Sequence, residues 1–81
     1  MKIEYKPQVI KQLNKLPLSE KKKVIRKLEL LLSDPKAGKQ LRGELENLRS
    51  LRAWPYRIIY ELKSNSITIY SVAHRQGAYK A

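Results

Sequence analysis

Residues 56–74 read YRIIYELKSNSITIYSVAH, two apolar-rich runs joined by a short polar one. In the first run Tyr56, Ile58, Tyr60 and Leu62 alternate with Arg57, Ile59 and Glu61, the period of a strand with two distinct faces. The second run, SITIYSVAH, is rich in β-branched and aromatic residues and closes on His74. Lys63-Ser64-Asn65-Ser66 has hairpin length and carries Asn where a tight turn favours it. Upstream, LRSLRAW at 48–54 is a third strand-like run, so the C-terminal half predicts an antiparallel meander.

The N-terminal half changes period. KIEYK sets Ile3 and Tyr5 against Lys2 and Glu4, a short strand pattern. Pro7 suits the first turn of a helix, where its missing N–H costs nothing, and Val9, Ile10, Leu13 and Leu16 follow at helical spacing. Pro17 ends that helix and Ser19 is the expected N-cap of the next. There Val24, Ile25, Leu28, Leu31 and Leu32 form one apolar stripe, with Lys21, Lys22, Lys23, Arg26 and Lys27 mostly off it. Ser33-Asp34-Pro35 stops the helix. Residues 35–47 are loop-like, with Leu41 and Leu45 as expected core anchors. The order β-α-α-β-β-β predicts an α+β fold, an antiparallel sheet with an N-terminal helical hairpin packed on one face, in a single domain over 1–81.

Eighteen Lys and Arg against seven Asp and Glu give a formal charge of +11 on 81 residues. A field of that sign draws polyanions, either nucleic acid or an acidic protein. The chain has no cysteine and one histidine, which argues against disulfides and metal centres. MKIEYKPQV has no apolar segment of the signal-peptide kind, and no run approaches a membrane span, so a cytoplasmic protein is expected.

With helices on one face, the other face is open for chemistry. Arg49 and Arg52 fall on the first strand of the meander, Arg57 on the second and Arg75 at the end of the third. Alternation sends Arg49 and Arg52 to opposite faces unless a bulge intervenes. Arginine's planar fork suits phosphate. When a 2′-hydroxyl attacks the adjacent phosphorus of RNA, negative charge builds on the phosphoryl oxygens, and fixed cations aimed there carry much of the rate. A base must take the 2′-proton and an acid must supply the leaving oxygen. Tyr79, among cations, and His74 are the candidates. For each there is a plainer role, a strand-end histidine and a packing aromatic.

Taken together, YKPQVIKQLNKL … LLLSDPKAGKQLRGELENLRSLRAWPYRIIYEL … ITIYSVAHRQGAY resembles the RelE/ParE superfamily of bacterial and archaeal toxins of type II toxin–antitoxin pairs. The resemblance implies a compact α+β fold similar to microbial ribonucleases. RelE-like members enter the ribosomal A site and cut mRNA by metal-independent transesterification. That implies catalytic roles for Arg57, Arg75 and Tyr79, with RNA contacts from Arg52 and Arg49; His74, on its own chemistry, is expected as a proton carrier and Lys80 as a further RNA contact. Tyr79 is implied as general base or as a platform for a base, and the division of acid and base between Tyr79 and His74 stays open. No cofactor or metal is implied. The implied partners are a cognate antitoxin with an acidic amphipathic segment, the ribosome and mRNA, and operator DNA only through the antitoxin. ParE-like relatives poison DNA gyrase and generally lack the terminal Arg/Tyr set, so HRQGAY favours the RelE-like branch. Two departures stand against it. Arg49, Ser50 and Arg52 replace a frequent lysine pair, and Ala53-Trp54-Pro55 replaces a glycine turn. A gyrase poison, or a degenerate toxin that only binds, are the alternatives.

Overall fold

A computed structural model describes residues 2–74. The elements are β1 (Lys2–Tyr5), α1 (Pro7–Asn14), α2 (Leu18–Ser33), β2 (Lys39–Gln40), a 3-10 turn (Gly43–Leu45), β3 (Leu48–Ala53), β4 (Tyr56–Leu62) and β5 (Ser66–His74). The five strands form one sheet in the order β1-β5-β4-β3-β2. The α+β class and the helical hairpin are those expected, with two additions. β1 lies parallel to β5, making the sheet mixed, and the loop-like stretch contributes β2, paired antiparallel with β3.

The helices cover one face because their apolar stripes demand it. Val9 of α1 and Val24, Leu28 and Leu31 of α2 are buried against Leu51, Ala53, Ile58, Tyr60, Ile67, Ile69 and Val72 of the sheet. Each fully buried Val, Leu or Ile contributes about 1.5–3 kcal/mol. Pro7 occupies the start of α1 as expected. The cap of α2, however, is Pro17 and not Ser19, with the Lys21 N–H donating to the Pro17 carbonyl at 2.9 Å. At the far end Pro35 cannot continue the helix, and the Asp34 N–H closes it on the Leu30 carbonyl. Of the two expected loop anchors, Leu41 is half-buried and Leu45 is 44% exposed.

β3 and β4 pair without interruption from Leu48↔Glu61 to Ala53↔Tyr56, joined by a turn with a cis Trp54–Pro55 bond. β4 and β5 do not pair evenly. Ile59 faces Ser71 but Tyr60 faces Ile69, so Tyr70 is the extra residue of a bulge. The bulge flips the phase of β5: Ile67 and Ile69 enter the core, and after it Val72 does. Among the described residues no helix is long and apolar enough to cross a membrane.

Candidate nucleic-acid interface

The core-facing residues Tyr56, Ile58 and Tyr60 leave Arg57, Ile59 and Glu61 on the other side of β4. Arg57 is paired directly with Arg52 across β3 and β4, and directly paired side chains share a face. Two arginine side chains therefore share the open face, although like charges directly opposite one another destabilise a sheet. Both line a cavity of about 380 Å³ that also receives Lys27 from α2 and Lys39 from β2. None of the described residues lining it is a carboxylate. Among the described residues no ion pair engages Lys27, Lys39 or Arg52, whereas Lys23 pairs with Glu20 and Lys63 with Glu61. The unbroken register of β3 and β4 sends Arg49 to the opposite face from Arg52.

Arg49 has a different employment. Its Nη1 donates to the Gly38 carbonyl at 2.9 Å. The Gly38 N–H donates to the Tyr60 hydroxyl at 2.9 Å, and that hydroxyl donates to the Pro35 carbonyl at 2.8 Å. The loop 35–38 is thus pinned to the centre of β4. Gly38 is required by the close approach: a Cβ there would lie 2.7 Å from the Tyr60 ring. Burial pushes the Tyr60 phenol above its usual 10.0, while the Gly38 N–H and Arg49 act in the opposite sense. Arg49 also lines a separate cavity with Glu46 and Glu61, away from the cationic one.

His74 pairs with Tyr56, and their rings meet edge-to-face at 5.8 Å and 84°. Arg57 pairs with Ala73 instead. His74 and Arg57 therefore lie on opposite faces near one end of the sheet. Without the bulge His74 would share the face of Arg57. The end of β5 is held by α1, because β1 reaches only to Ile69. Beyond that point the Gln8 amide donates to the Tyr70 carbonyl, and the Val72 N–H donates to Gln12 Oε1 at 2.8 Å. Arg75, Tyr79 and Lys80 lie outside the described residues.

Of the sequence-predicted residues, the structure brings Arg52 and Arg57 together and separates them from Arg49 and His74. It adds Lys27 and Lys39. Lys27 had a readable signal, standing between Val24 and Leu31 on the flank of the apolar stripe. Lys39 had none, since a two-residue strand has no period. Four cations around one cavity suit an anion with several oxygens, such as the phosphates of a nucleic-acid strand. No group of three or more His, Cys, Asp or Glu spaced to ligate a metal occurs among the described residues.

The family model of the ParE toxin of type II toxin–antitoxin systems, parDE, matches residues 3–79. Among solved structures, the RelBE2 toxin–antitoxin complex from Mycobacterium tuberculosis contains a chain 28% identical, with a TM-score of 0.82, covering 91% of this chain and 96% of that one. The isolated RelE toxin from E. coli is 23% identical, with a TM-score of 0.74 over 90% of this chain and 82% of its own. A YoeB/ParE toxin from Agrobacterium tumefaciens has a TM-score of 0.80 at 14% identity, over 91% and 98% of the two chains. The last two likenesses bear on the fold alone. No relative is found among curated proteins.

Proposed function

The chain belongs to the RelE/ParE family of type II toxin–antitoxin toxins, and we propose from that premise that it is a ribosome-dependent mRNA endonuclease. The observation that carries the proposal is the facing pair Arg52 and Arg57 in a cavity whose described lining holds no carboxylate. A phosphodiester seated there gains charge on its non-bridging oxygens as the 2′-hydroxyl attacks, and the pair stabilises that charge more than the ground state. Arg75 and Tyr79 enter on the sequence resemblance, Arg75 as a further phosphate ligand and Tyr79 as general base or base platform. The geometry favours a lesser role for His74, whose described ring contact is with Tyr56 on the other face.

The cognate antitoxin is proposed on two grounds. Several of the similar solved structures are toxin–antitoxin complexes. An exposed apolar groove of about 340 Å³ between β1, α1 and α2, lined by Ile10, Leu13, Ile25 and Leu32 among others, lies on a strongly basic body. An acidic amphipathic segment complements both properties.

A gyrase poison that cuts no RNA is the second reading, and the match to the ParE family model is what favours it. The two separate on induction in growing cells. The endonuclease stops incorporation of labelled amino acids promptly, without a DNA-damage response, and Arg57→Gln restores growth. A DNA-damage response with translation continuing would move the assignment to gyrase.

A further inference from the structure

Lys27 and Lys39 reach the arginine cavity from two elements that the proposed chemistry does not use. β2 is only two residues long, and its pairing with β3 stops at Lys39↔Ser50. β3 continues to Ala53, so among the described residues no strand covers its edge at Leu51, Arg52 and Ala53. Leu51 and Arg52 of this edge line the cavity. By the register, Lys39 shares the face of Ser50, and Arg52, two residues on, shares it with Arg57. Lys27 arrives from the helical layer on the other side. The four cations thus bracket a strand edge and do not ring a point.

We infer that Lys27 and Lys39 form a second phosphate subsite, holding the nucleotide next to the one gripped by Arg52 and Arg57. A single RNA strand then runs around the free edge of β3. The inference rests on the proposed RNA-cleaving function and extends it by a substrate-positioning site.

The residue types divide as such a role requires. Arginine offers a rigid, bidentate fork where the geometry of a reacting phosphate matters. Lysine is a point charge on a flexible stem, suited to a phosphate that only has to be held. Both lysines are exposed, whereas Arg57 is half-buried. The backbone under Lys39 is fixed by its pairing with Ser50 and by the residue before it. Its neighbour Gly38 accepts from Arg49 and donates to the buried Tyr60. That node sets where Lys39 stands, which a cation serving only solubility does not need. Lys21 and Lys22, on the same helix as Lys27, line no cavity described above and provide an internal control of equal charge.

The test compares K27Q/K39Q with K21Q/K22Q and the unaltered chain. A short fluorescein-labelled single-stranded RNA is titrated at several KCl concentrations and read by anisotropy. Each phosphate neutralised on a single strand contributes about 0.7 to the slope of log K against log salt. The K27Q/K39Q slope is expected to fall by about 1.4, two phosphate contacts' worth, with little change for K21Q/K22Q. On programmed ribosomes K27Q/K39Q raises KM for the mRNA with kcat nearly unchanged, the mark of lost ground-state binding. Equal slopes for the two double variants would overturn the subsite, leaving only diffuse charge. So would an unchanged RNA slope accompanied by weakened binding of poly-L-glutamate, which would reassign the lysines to an acidic protein surface. Intact ribosome-bound mRNA with the unaltered chain overturns the endonuclease proposal alone, and the subsite then stands or falls on the slopes.

Discussion

At the scale of single residues, Tyr60 is constrained by both burial and hydrogen bonding. It is fully buried, and its hydroxyl has a donor in Gly38 and an acceptor in Pro35. Tyr60→Phe strands the Gly38 N–H and is expected to cost about 1–3 kcal/mol, seen as a lower urea midpoint with unchanged m. The loss depends on pH in a defined sense. Burial raises the folded-state phenol pKa above 10.0, so the folded chain keeps that proton longer than the unfolded one. The stabilisation is complete below about pH 10 and is lost as pH rises through the folded value. The midpoints of the unaltered chain and Tyr60→Phe therefore converge in alkali, and parallel curves would count against a buried, hydrogen-bonded phenol. Arg49, Arg52 and His74 show how far alternation can be read. It correctly separates Arg49 from Arg52, since β3 has no bulge. Along β5 it would mislead, because the extra residue at Tyr70 inverts the face of everything after it, His74 included. A bulge is a property of paired strands and has no mark in one strand's sequence.

At the scale of elements, α1 does more than cover the core. Gln8 and Gln12, one turn apart, continue the edge of β5 where β1 stops, by bonding Tyr70 and Val72. Replacing Gln12 with Leu leaves the Val72 N–H without its acceptor. The expected outcome is faster hydrogen exchange at the Val72 amide and a loss of about 1–2 kcal/mol, with exchange in β3 unaffected. Unchanged protection at Val72 would mean the glutamine contact is dispensable. The same scale explains what the sequence revealed of the fold. β4 and both helices declare themselves by period, and β3 and β5 by composition, since β4 and β5 also bury Ile59 and Thr68 on the face away from the helices. The parallel pairing of β1 with β5 does not, since the alternation in KIEYK says which face is apolar and nothing about which neighbour it finds. β2 is too short to carry a pattern, and with it Lys39 went unseen.

At the scale of the molecule, the charge of +11 acquires a place in an open cationic cavity. The net charge announces a polyanionic partner but gives it no location. The location follows from tertiary structure: Arg52 facing Arg57, with Lys27 and Lys39 brought from elsewhere in the chain. The central claim is that this cavity cuts ribosome-bound mRNA. The most direct measurement is primer extension on a defined mRNA incubated with the purified chain, with and without programmed ribosomes, beside Arg57→Gln. New ends at the A-site codon should appear only with ribosomes. They should form roughly 10²–10³-fold more slowly in the variant, the usual loss on removing one preorganised charge-stabilising donor. Intact mRNA in every lane, or equal cutting by Arg57→Gln, would contradict the account.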